Sequence, residues 1–240
     1  MSGKVYLIGA GPGDPELMTL KAARALGRAD VVLVDALVNR GCPAHARSEA
    51  RIVEVGKRAG SGSSQAFIEK VMVQTAKNGL TDARLKGGDP FIFGRGGEEL
   101  RALLDAGIEV EVIPGITAGI GVAAALGIPL THRDLAHGVS FVTGHGAGVD
   151  WQALVRSKTT LVIYMGLRNL EKMVSELGAA GMDPRTPACV IENGTLGNQR
   201  QVVTRLEALS GAGFRGPALI VIGAVVALAA MPELRREFAA

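Results

Sequence analysis

The sequence is poor in aromatic residues and carries little excess charge of either sign. Aromatic residues make up 4% of its 240 residues, so few side chains are available to stack on the bases of a nucleic acid. The formal net charge is only +3 at pH 7, and no long basic run occurs. We therefore expect no nucleic-acid partner, whereas an anionic small molecule remains compatible with local basic clusters.

Cysteine is nearly absent. The two cysteines, Cys42 and Cys189, lie far apart and match neither the spacing of a zinc site nor that of a redox pair. The N-terminus does not have the pattern of a signal peptide. We therefore expect a cytoplasmic protein with reduced thiols and without a bound metal.

Two long uncharged stretches raise the question of a membrane span. Residues 112–131 carry no charge and are long enough to cross a bilayer, but they contain two prolines and four glycines. Residues 216–232 are interrupted by glycine and end at Pro232. These residues favour turns around short buried segments over a continuous helix, so we expect no membrane association.

The first half of the chain alternates short apolar runs with amphipathic segments. The pattern predicts strands at residues 5–9, 31–35, 51–55, 80–85 and 108–113, of which the fourth is weak. It predicts helices at residues 15–26, 64–78 and 97–106. Strands separated by helices of this length indicate right-handed crossovers and a parallel sheet.

The second half has a different pattern. Strands are predicted at residues 139–143, 159–164, 187–191, 201–204 and 218–223. Because only some of these strands are separated by helices, we expect a mixed sheet. The turn at Pro114-Gly115 is the best boundary, which gives two α/β domains at residues 1–113 and 114–240.

The glycine-rich turn after the first strand differs from a dinucleotide-binding loop. That loop needs the pattern G-x-G-x-x-G, but residues 9–14 read GAGPGD, with the third glycine one position early. Pro12 removes an N–H donor, and Asp14 and Glu16 put negative charge where a diphosphate would bind. Asp35 imitates the ribose-binding acid of such folds, yet the loop favours a neutral or cationic ligand over a nicotinamide cofactor.

A second glycine-rich stretch follows the weak fourth strand. Residues 84–99 read RLKGGDPFIFGRGGEE and contain five glycines, with Lys86, Asp89 and Arg95 among them. Ligands bind at the carboxyl ends of the strands in an open parallel sheet, and glycine allows a close approach of the backbone. We interpret this stretch as part of a binding site, although a structural loop is the alternative.

These and other segments resemble a known family. The segments VYLIGAGPGDPEL, VGKRAG, RLKGGDPFIFGRGGEE, PGITAG, GIPLTHRD, VTGH, YMGL, ENGT and PALIVIG occur in the order found in uroporphyrinogen-III C-methyltransferases, which are tetrapyrrole methylases. The resemblance covers about residues 4–226. It implies two α/β domains with S-adenosylmethionine in the cleft between them, and a homodimer. The implied reaction is methylation of two ring carbons of uroporphyrinogen III to give precorrin-2, a precursor of sirohaem and cobalamin.

The resemblance also implies site residues. The contacts to the methyl donor carried over by position are Pro12, Gly87, Gly88, Asp89, Ile92, Thr117, Ala118, Met165 and Gly194. Asp35 and Lys57 stand where the family places its acid–base candidates. Because a guanidinium stays protonated, we interpret Arg95 as a clamp for a substrate carboxylate. The implied substrate has eight carboxylates, and Lys86 belongs to the local basic groups expected to face it.

Some features leave alternatives open. Thr81 and Asp82 stand where the family usually has an apolar strand start, which puts the edges of this strand in doubt. A sister methylase acting on a later precorrin is the first alternative. Relatives that methylate a modified protein residue or ribosomal RNA, and a non-catalytic protein that binds an adenosyl ligand, are others. The presence of Asp35 and of the basic residues Lys57, Lys86 and Arg95 argues against the non-catalytic protein.

Overall fold

The chain divides into two compact units, Met1–Thr117 and Ala118–Ala240. The computed structural model describes residues 3–56, 64–146, 148–211 and 213–229. The domain boundary placed after residue 113 from the sequence stays a prediction. Each unit contains its own sheet, so the two are described separately.

The first unit is built on a parallel sheet. Its strands within the described residues are β1 (Lys4–Gly9), β2 (Val31–Val34), β3 (Arg51–Glu54), β4 (Asp82–Lys86) and β5 (Glu109–Ile113). Its helices are α1 (Leu20–Leu26), α2 (Gln65–Lys77) and α3 (Gly96–Asp105), with short 3₁₀ turns at Pro15–Leu17 and Cys42–His45. The strands lie in the order β3-β2-β4-β1-β5 and all pairs are parallel, as predicted.

The helix predicted over residues 15–26 is wrong in one respect, because the chain forms a 3₁₀ turn and then a separate helix. The Asp14 carboxylate accepts a hydrogen bond from the Glu16 amide and caps the turn. The Thr19 hydroxyl accepts a hydrogen bond from the Ala22 amide and starts α1. Two capping side chains five residues apart thus begin two elements instead of one.

Strand β4 is stronger than its sequence suggests. It lies at the centre of the sheet, and all five of its residues are buried. Asp82, Arg84 and Lys86 alternate along it, which hides the apolar pattern of a buried strand. The uncertainty that Asp82 raised about this strand therefore came from its charges.

The second unit contains a mixed sheet. Among its described residues the strands are β6 (Val139–Thr143), β7 (Thr160–Tyr164), β8 (Pro187–Glu192), β9 (Arg200–Arg205) and β10 (Ala218–Ile222). The helices are α4 (Ala118–Ala125), α5 (Trp151–Ser157) and α6 (Leu170–Ala179), with 3₁₀ turns at Leu167–Asn169, Leu206–Ala208 and Ala224–Leu228. In the order β6-β7-β10-β8-β9, β6 and β7 are parallel and the other pairs antiparallel, which confirms the predicted mixed sheet.

The second sheet is apolar on both faces. Val162, Cys189 and Val221 point into one core cluster, whereas Ile163 and Ile220 point into the other. This double burial explains why the stretch of sequence that contains β10 carries no charge. In the described part of the chain, no helix is both long enough and apolar enough to cross a membrane.

Candidate active site

Two glycine loops meet at the carboxyl edge of the first sheet. The loop after β1 and the loop after β4 are joined because the Gly88 amide donates to the Gly11 carbonyl at 2.7 Å and the Gly11 amide donates to the Gly88 carbonyl at 3.2 Å. Gly88 has a φ of +68°, a conformation that glycine adopts without strain. The two glycine-rich segments found in the sequence therefore form one structure.

A third loop, after β5, lies against them. A Cβ on Gly115 would lie 2.2 Å from the Gly88 carbonyl oxygen, and a Cβ on Gly9 would lie 2.5 Å from the Gly115 nitrogen. The three backbones are thus closer than any side chain would allow. We call this region, formed by Gly9, Gly11, Gly88 and Gly115, the glycine cradle.

Asp89 braces the glycine cradle. Its Oδ1 accepts a hydrogen bond from the Phe91 amide at 2.9 Å, and its Oδ2 accepts one from the Gly115 amide at 3.1 Å. The carboxylate thereby fixes the loop after β4 and ties it to the loop after β5. Both oxygens are engaged by backbone amides, which the sequence alone did not reveal.

Asp35 follows β2 at the same edge of the sheet. Its Oδ1 accepts a hydrogen bond from the Ala36 amide at 3.1 Å, and its Oδ2 accepts one from Arg84 Nη2 at 3.2 Å. The carboxylate lines a cavity of about 670 Å³, together with residues that include Arg40 and Glu54. Asp35 is thus half-buried, held in place, and open to a small molecule.

Behind Asp35 lies a buried group of charges. Glu99 on α3 accepts hydrogen bonds from Arg84 Nε and from Lys86 Nζ, each at 3.0 Å. The exposed fraction is 2% for Arg84 and Lys86 and 0% for Glu99. Burial and the charge of Arg84 lower the pKa of Lys86, whereas Glu99 opposes that shift.

The burial of Lys86 corrects the expectation that it faces the substrate. Its ammonium group points into the core and is neutralised by Glu99 at 2.9 Å. This pairing could not be predicted from the sequence, because Glu99 lies 13 residues further along the chain on another element.

Arg95 is positioned as the residue before α3. It has a φ of +58°, and its Nε and Nη2 donate to the two Glu98 oxygens at 2.9 and 2.6 Å. Both side chains are more than half exposed. The guanidinium of Arg95 therefore reaches solvent while Glu98 holds one of its edges.

In the second unit, the predicted donor contacts lie at the ends of packed elements. Ala118 is the first residue of α4, and the next amide, of Gly119, donates to Tyr164 Oη at 2.7 Å. Met165 directly follows β7 with a φ of +54° and is about half exposed. A Cβ on Gly194 would lie 2.5 Å from Val122 of α4, so the loop after β8 packs directly on that helix.

Most of the site residues predicted from the sequence lie in the described part of the chain. Pro12, Gly87, Gly88, Asp89 and Ile92 all lie in the two joined glycine loops. Thr117 is buried at the end of the first unit. Lys57 lies outside the described residues. Across the described part of the chain, no group of three or more His, Cys, Asp or Glu residues is arranged to hold a metal ion.

Other functional candidates were missed by sequence reasoning. Arg84 and Glu99 are contained in the glycine-rich stretch but carry no signal of burial, and Tyr164 looked like an ordinary strand residue. Only the alternation of charge in residues 82, 84 and 86 could have indicated that one face of β4 carries ionic groups.

The parallel sheet with glycine loops at its carboxyl edge is the arrangement at which α/β proteins typically bind small molecules. The family model for Tetrapyrrole (Corrin/Porphyrin) Methylases matches residues 4–210, and the chain belongs to this family. The resemblance drawn from the sequence motifs is thereby confirmed.

Two relatives show which members of the family this chain resembles. A uroporphyrinogen-III C-methyltransferase from Pseudomonas aeruginosa is 53% identical over 233 residues, which cover 94% of this chain and 95% of the relative. A siroheme synthase from Psychromonas ingrahamii is 47% identical and matches 95% of this chain, but the chain spans only 50% of its length.

A solved structure of a ligand complex shows the same fold. Uroporphyrin-III C-methyl transferase from Thermus thermophilus, complexed with S-adenosylhomocysteine, is 43% identical and superimposes with a TM-score of 0.82. The match covers 93% of this chain and 99% of the Thermus chain.

Proposed function

We propose that this protein transfers methyl groups from S-adenosylmethionine to two ring carbons of uroporphyrinogen III, which yields precorrin-2 for sirohaem or cobalamin synthesis. The observation that carries the proposal is the half-buried carboxylate of Asp35, which lines a cavity of about 670 Å³ and follows β2 at the sheet edge where the glycine cradle also lies. The full-length similarity to the Pseudomonas aeruginosa relative supports the choice of substrate.

The residues present suit S-adenosylmethionine as the methyl donor. It has no phosphate, so the loop needs no phosphate-binding amide at Pro12, and the carboxylate of Asp14 does not repel a cationic sulfonium. A Cβ at Gly9 or Gly115 would collide with neighbouring backbone atoms, so the three loops can pack this closely only with glycine at these positions. When bound, this molecule supplies a methyl group on a positively charged sulfur.

The donor contacts carried over from the sequence are kept as part of the proposal. In the first unit they are Pro12, Gly87, Gly88, Asp89, Ile92 and Thr117, and in the second they are Ala118, Met165 and Gly194. Asp89 supports binding through the loop geometry that it fixes, since both of its oxygens accept backbone hydrogen bonds.

Asp35 has the central chemical role in this proposal. When a ring carbon bonds to the methyl group and the carbon–sulfur bond breaks, the ring becomes cationic and must lose a proton. The Asp35 carboxylate stabilises that charge and accepts the proton. Arg95 binds a substrate carboxylate, and Lys57 remains an acid–base candidate. Most of the acceleration comes from positioning, which supplies roughly 7–11 kcal/mol in well-oriented reactions.

We further propose that the protein is a cytoplasmic homodimer that binds neither nucleic acid nor membrane. The support for a reducing compartment is that Cys42 and Cys189 are both free and buried. Burial raises the pKa of the Cys189 thiol to about 12, which makes that thiol unreactive.

Turnover is the direct test. The purified chain is incubated without oxygen with uroporphyrinogen III and S-adenosylmethionine, and the tetrapyrrole is analysed by mass spectrometry. We expect a gain of two methyl groups. Methylation of a later precorrin with no reaction on uroporphyrinogen III would replace this proposal by that of a sister enzyme.

Donor binding is tested by calorimetry with S-adenosylhomocysteine. Asp89→Ala should weaken binding by up to about 1.5–3 kcal/mol, the value of the charge-assisted hydrogen bond that ties the loop after β4 to the loop after β5, while NAD should not bind either protein. Asp105→Ala is the matched control, because it removes an exposed carboxylate from the end of α3. Equal affinities of the Asp89→Ala variant and the parent would remove Asp89 from the site.

A further inference from the structure

Three charged side chains share one face of β4. Successive strand residues point to opposite faces, so Asp82, Arg84 and Lys86 all point to the side covered by α2 and α3. Leu7 and Leu33, which pair with Arg84 in the neighbouring strands, belong to the apolar core cluster on that side. A row of ionic groups therefore runs through an otherwise hydrophobic layer.

Arg84 connects this layer to the candidate active site. Its Nε donates to Glu99 at 3.0 Å, and its Nη2 donates to Asp35 at 3.2 Å. Its Nη1 also lies 3.4 Å from the Leu33 carbonyl oxygen. The guanidinium is thus fixed from several directions and presents one nitrogen to the carboxylate that lines the cavity.

Stability alone does not explain such an arrangement. Burying an ion pair in place of well-packed apolar residues rarely stabilises a protein, because the desolvation of the charges offsets their attraction. Here two cations, Arg84 and Lys86, face two carboxylates, Glu99 and Asp35, and only Asp35 is accessible from the cavity. The network ends at the group that the proposed chemistry needs.

We propose that Arg84 is a positioning residue, which holds the Asp35 carboxylate in one orientation toward the cavity and is itself held by Glu99. This inference rests on the proposed function, since it assigns Asp35 to proton removal. Arg84 has 2% of its surface exposed and does not itself contact a substrate. It acts through Asp35 alone.

Steady-state kinetics with uroporphyrinogen III test the proposal. Arg84→Met should lower kcat by about 10- to 100-fold with little change in KM, because small misplacements of a catalytic group have effects of this size. Added to Asp35→Asn, the same substitution should lower kcat by less than about twofold, since coupled residues are not additive. Arg84→Lys should recover only part of kcat, because one ammonium group cannot bind Asp35 and Glu99 together.

Asp82→Asn is the matched control on the same face of β4. Asp82 is buried and has no hydrogen bond to Asp35, so kcat of this variant should stay within about twofold of the parent. If Arg84→Met does not fold, Arg84→Lys keeps the charge and still predicts a fall in kcat. The proposal is overturned if both Arg84 variants keep kcat, or if Arg84→Met is equally harmful with and without the Asp35 carboxylate.

A measurement without substrate separates this inference from the proposed function. The ¹³Cγ resonance of Asp35, assigned by its loss in Asp35→Asn, should move in Arg84→Lys and stay in place in Asp82→Asn. If the parent protein fails to methylate uroporphyrinogen III, the proposed function fails, and the resonance still decides whether Arg84 governs Asp35. An unmoved resonance in Arg84→Lys contradicts the positioning role whatever the substrate.

Discussion

The central strands of the two sheets have opposite compositions. Strand β4 (DARLK) and strand β10 (ALIVI) each have five residues and each lie in the middle of a five-stranded sheet of described residues. The buried residues of β10 are apolar, whereas β4 buries three charged side chains. The same position in a sheet thus accommodates either composition: Arg84 and Lys86 are paired with Glu99, whereas the buried Asp82 carboxyl has no hydrogen-bond partner among the described residues.

The two central strands contribute differently to the two units. Strand β10 contributes hydrophobic burial on both faces of its sheet, which is the usual source of stability. Strand β4 buries fewer apolar side chains, and one of its charged residues, Arg84, lies beside Asp35. The stability of the first unit should therefore depend on the charges of its buried side chains and on pH, and that of the second unit on the volume of its buried side chains.

The largest expected effect comes from removing the shared carboxylate of the first unit. Glu99→Ala leaves Arg84 and Lys86 buried without their common partner, and breaking a buried pair in this way costs about 3–5 kcal/mol. The free energy of opening is measured by hydrogen exchange at the amides of β1 and β4. Glu98→Ala, an exposed neighbour, should cost less than about 1 kcal/mol. Equal losses for the two variants would mean that the network adds nothing beyond an exposed pair.

The second largest effect is a pH dependence of the stability at β4, which β10 should lack. Burial raises the pKa of Asp82 to about 7, from 3.8 in an unfolded chain. Between these two pKa values the folded state binds one more proton than the unfolded state. The contribution of Asp82 to the free energy of unfolding is therefore complete below about pH 4 and is lost as the pH rises to about 7, at up to ~1.4 kcal/mol per pH unit. Hydrogen exchange at β4 between pH 4 and 8 measures it, corrected for intrinsic exchange rates.

Asp82→Asn serves as the control for that pH dependence. Asparagine has nearly the same shape but does not ionise, so the slope between pH 4 and 7 should decrease in this variant. A slope as steep as that of the parent would show that another group causes it.

The smallest expected effect is in the second unit. Ile220→Val removes one methylene from the fully buried centre of β10 and should cost about 0.5–1.5 kcal/mol, measured by hydrogen exchange at the amides of β7 and β8. Because no ionised side chain points from β10 into the core, the loss should be the same at pH 5 and pH 8. A loss that changes with pH would contradict the contrast between the two strands.

Much of the architecture could be predicted because apolar runs and turn residues are local signals. The five strands of the second sheet fall within about one residue of their predicted bounds, since each is a short apolar run flanked by turns. The break at Thr19 was missed because a helix pattern does not show which of two capping side chains starts the helix. Strand β4 looked weak because a pattern of alternating charge does not show whether the charges are paired.

The family and the two glycine-rich loops could be predicted from the sequence alone, since these depend on residue types at fixed spacing along the chain. It also placed Asp35 and Asp89 after strands, where a parallel sheet collects its ligand contacts. The folded structure was needed to show that Asp89 ties two loops together and that Lys86 points inward to Glu99. The physical reason is that an ion pair or a brace between separate elements depends on how the chain folds back, and local spacing does not encode that distance.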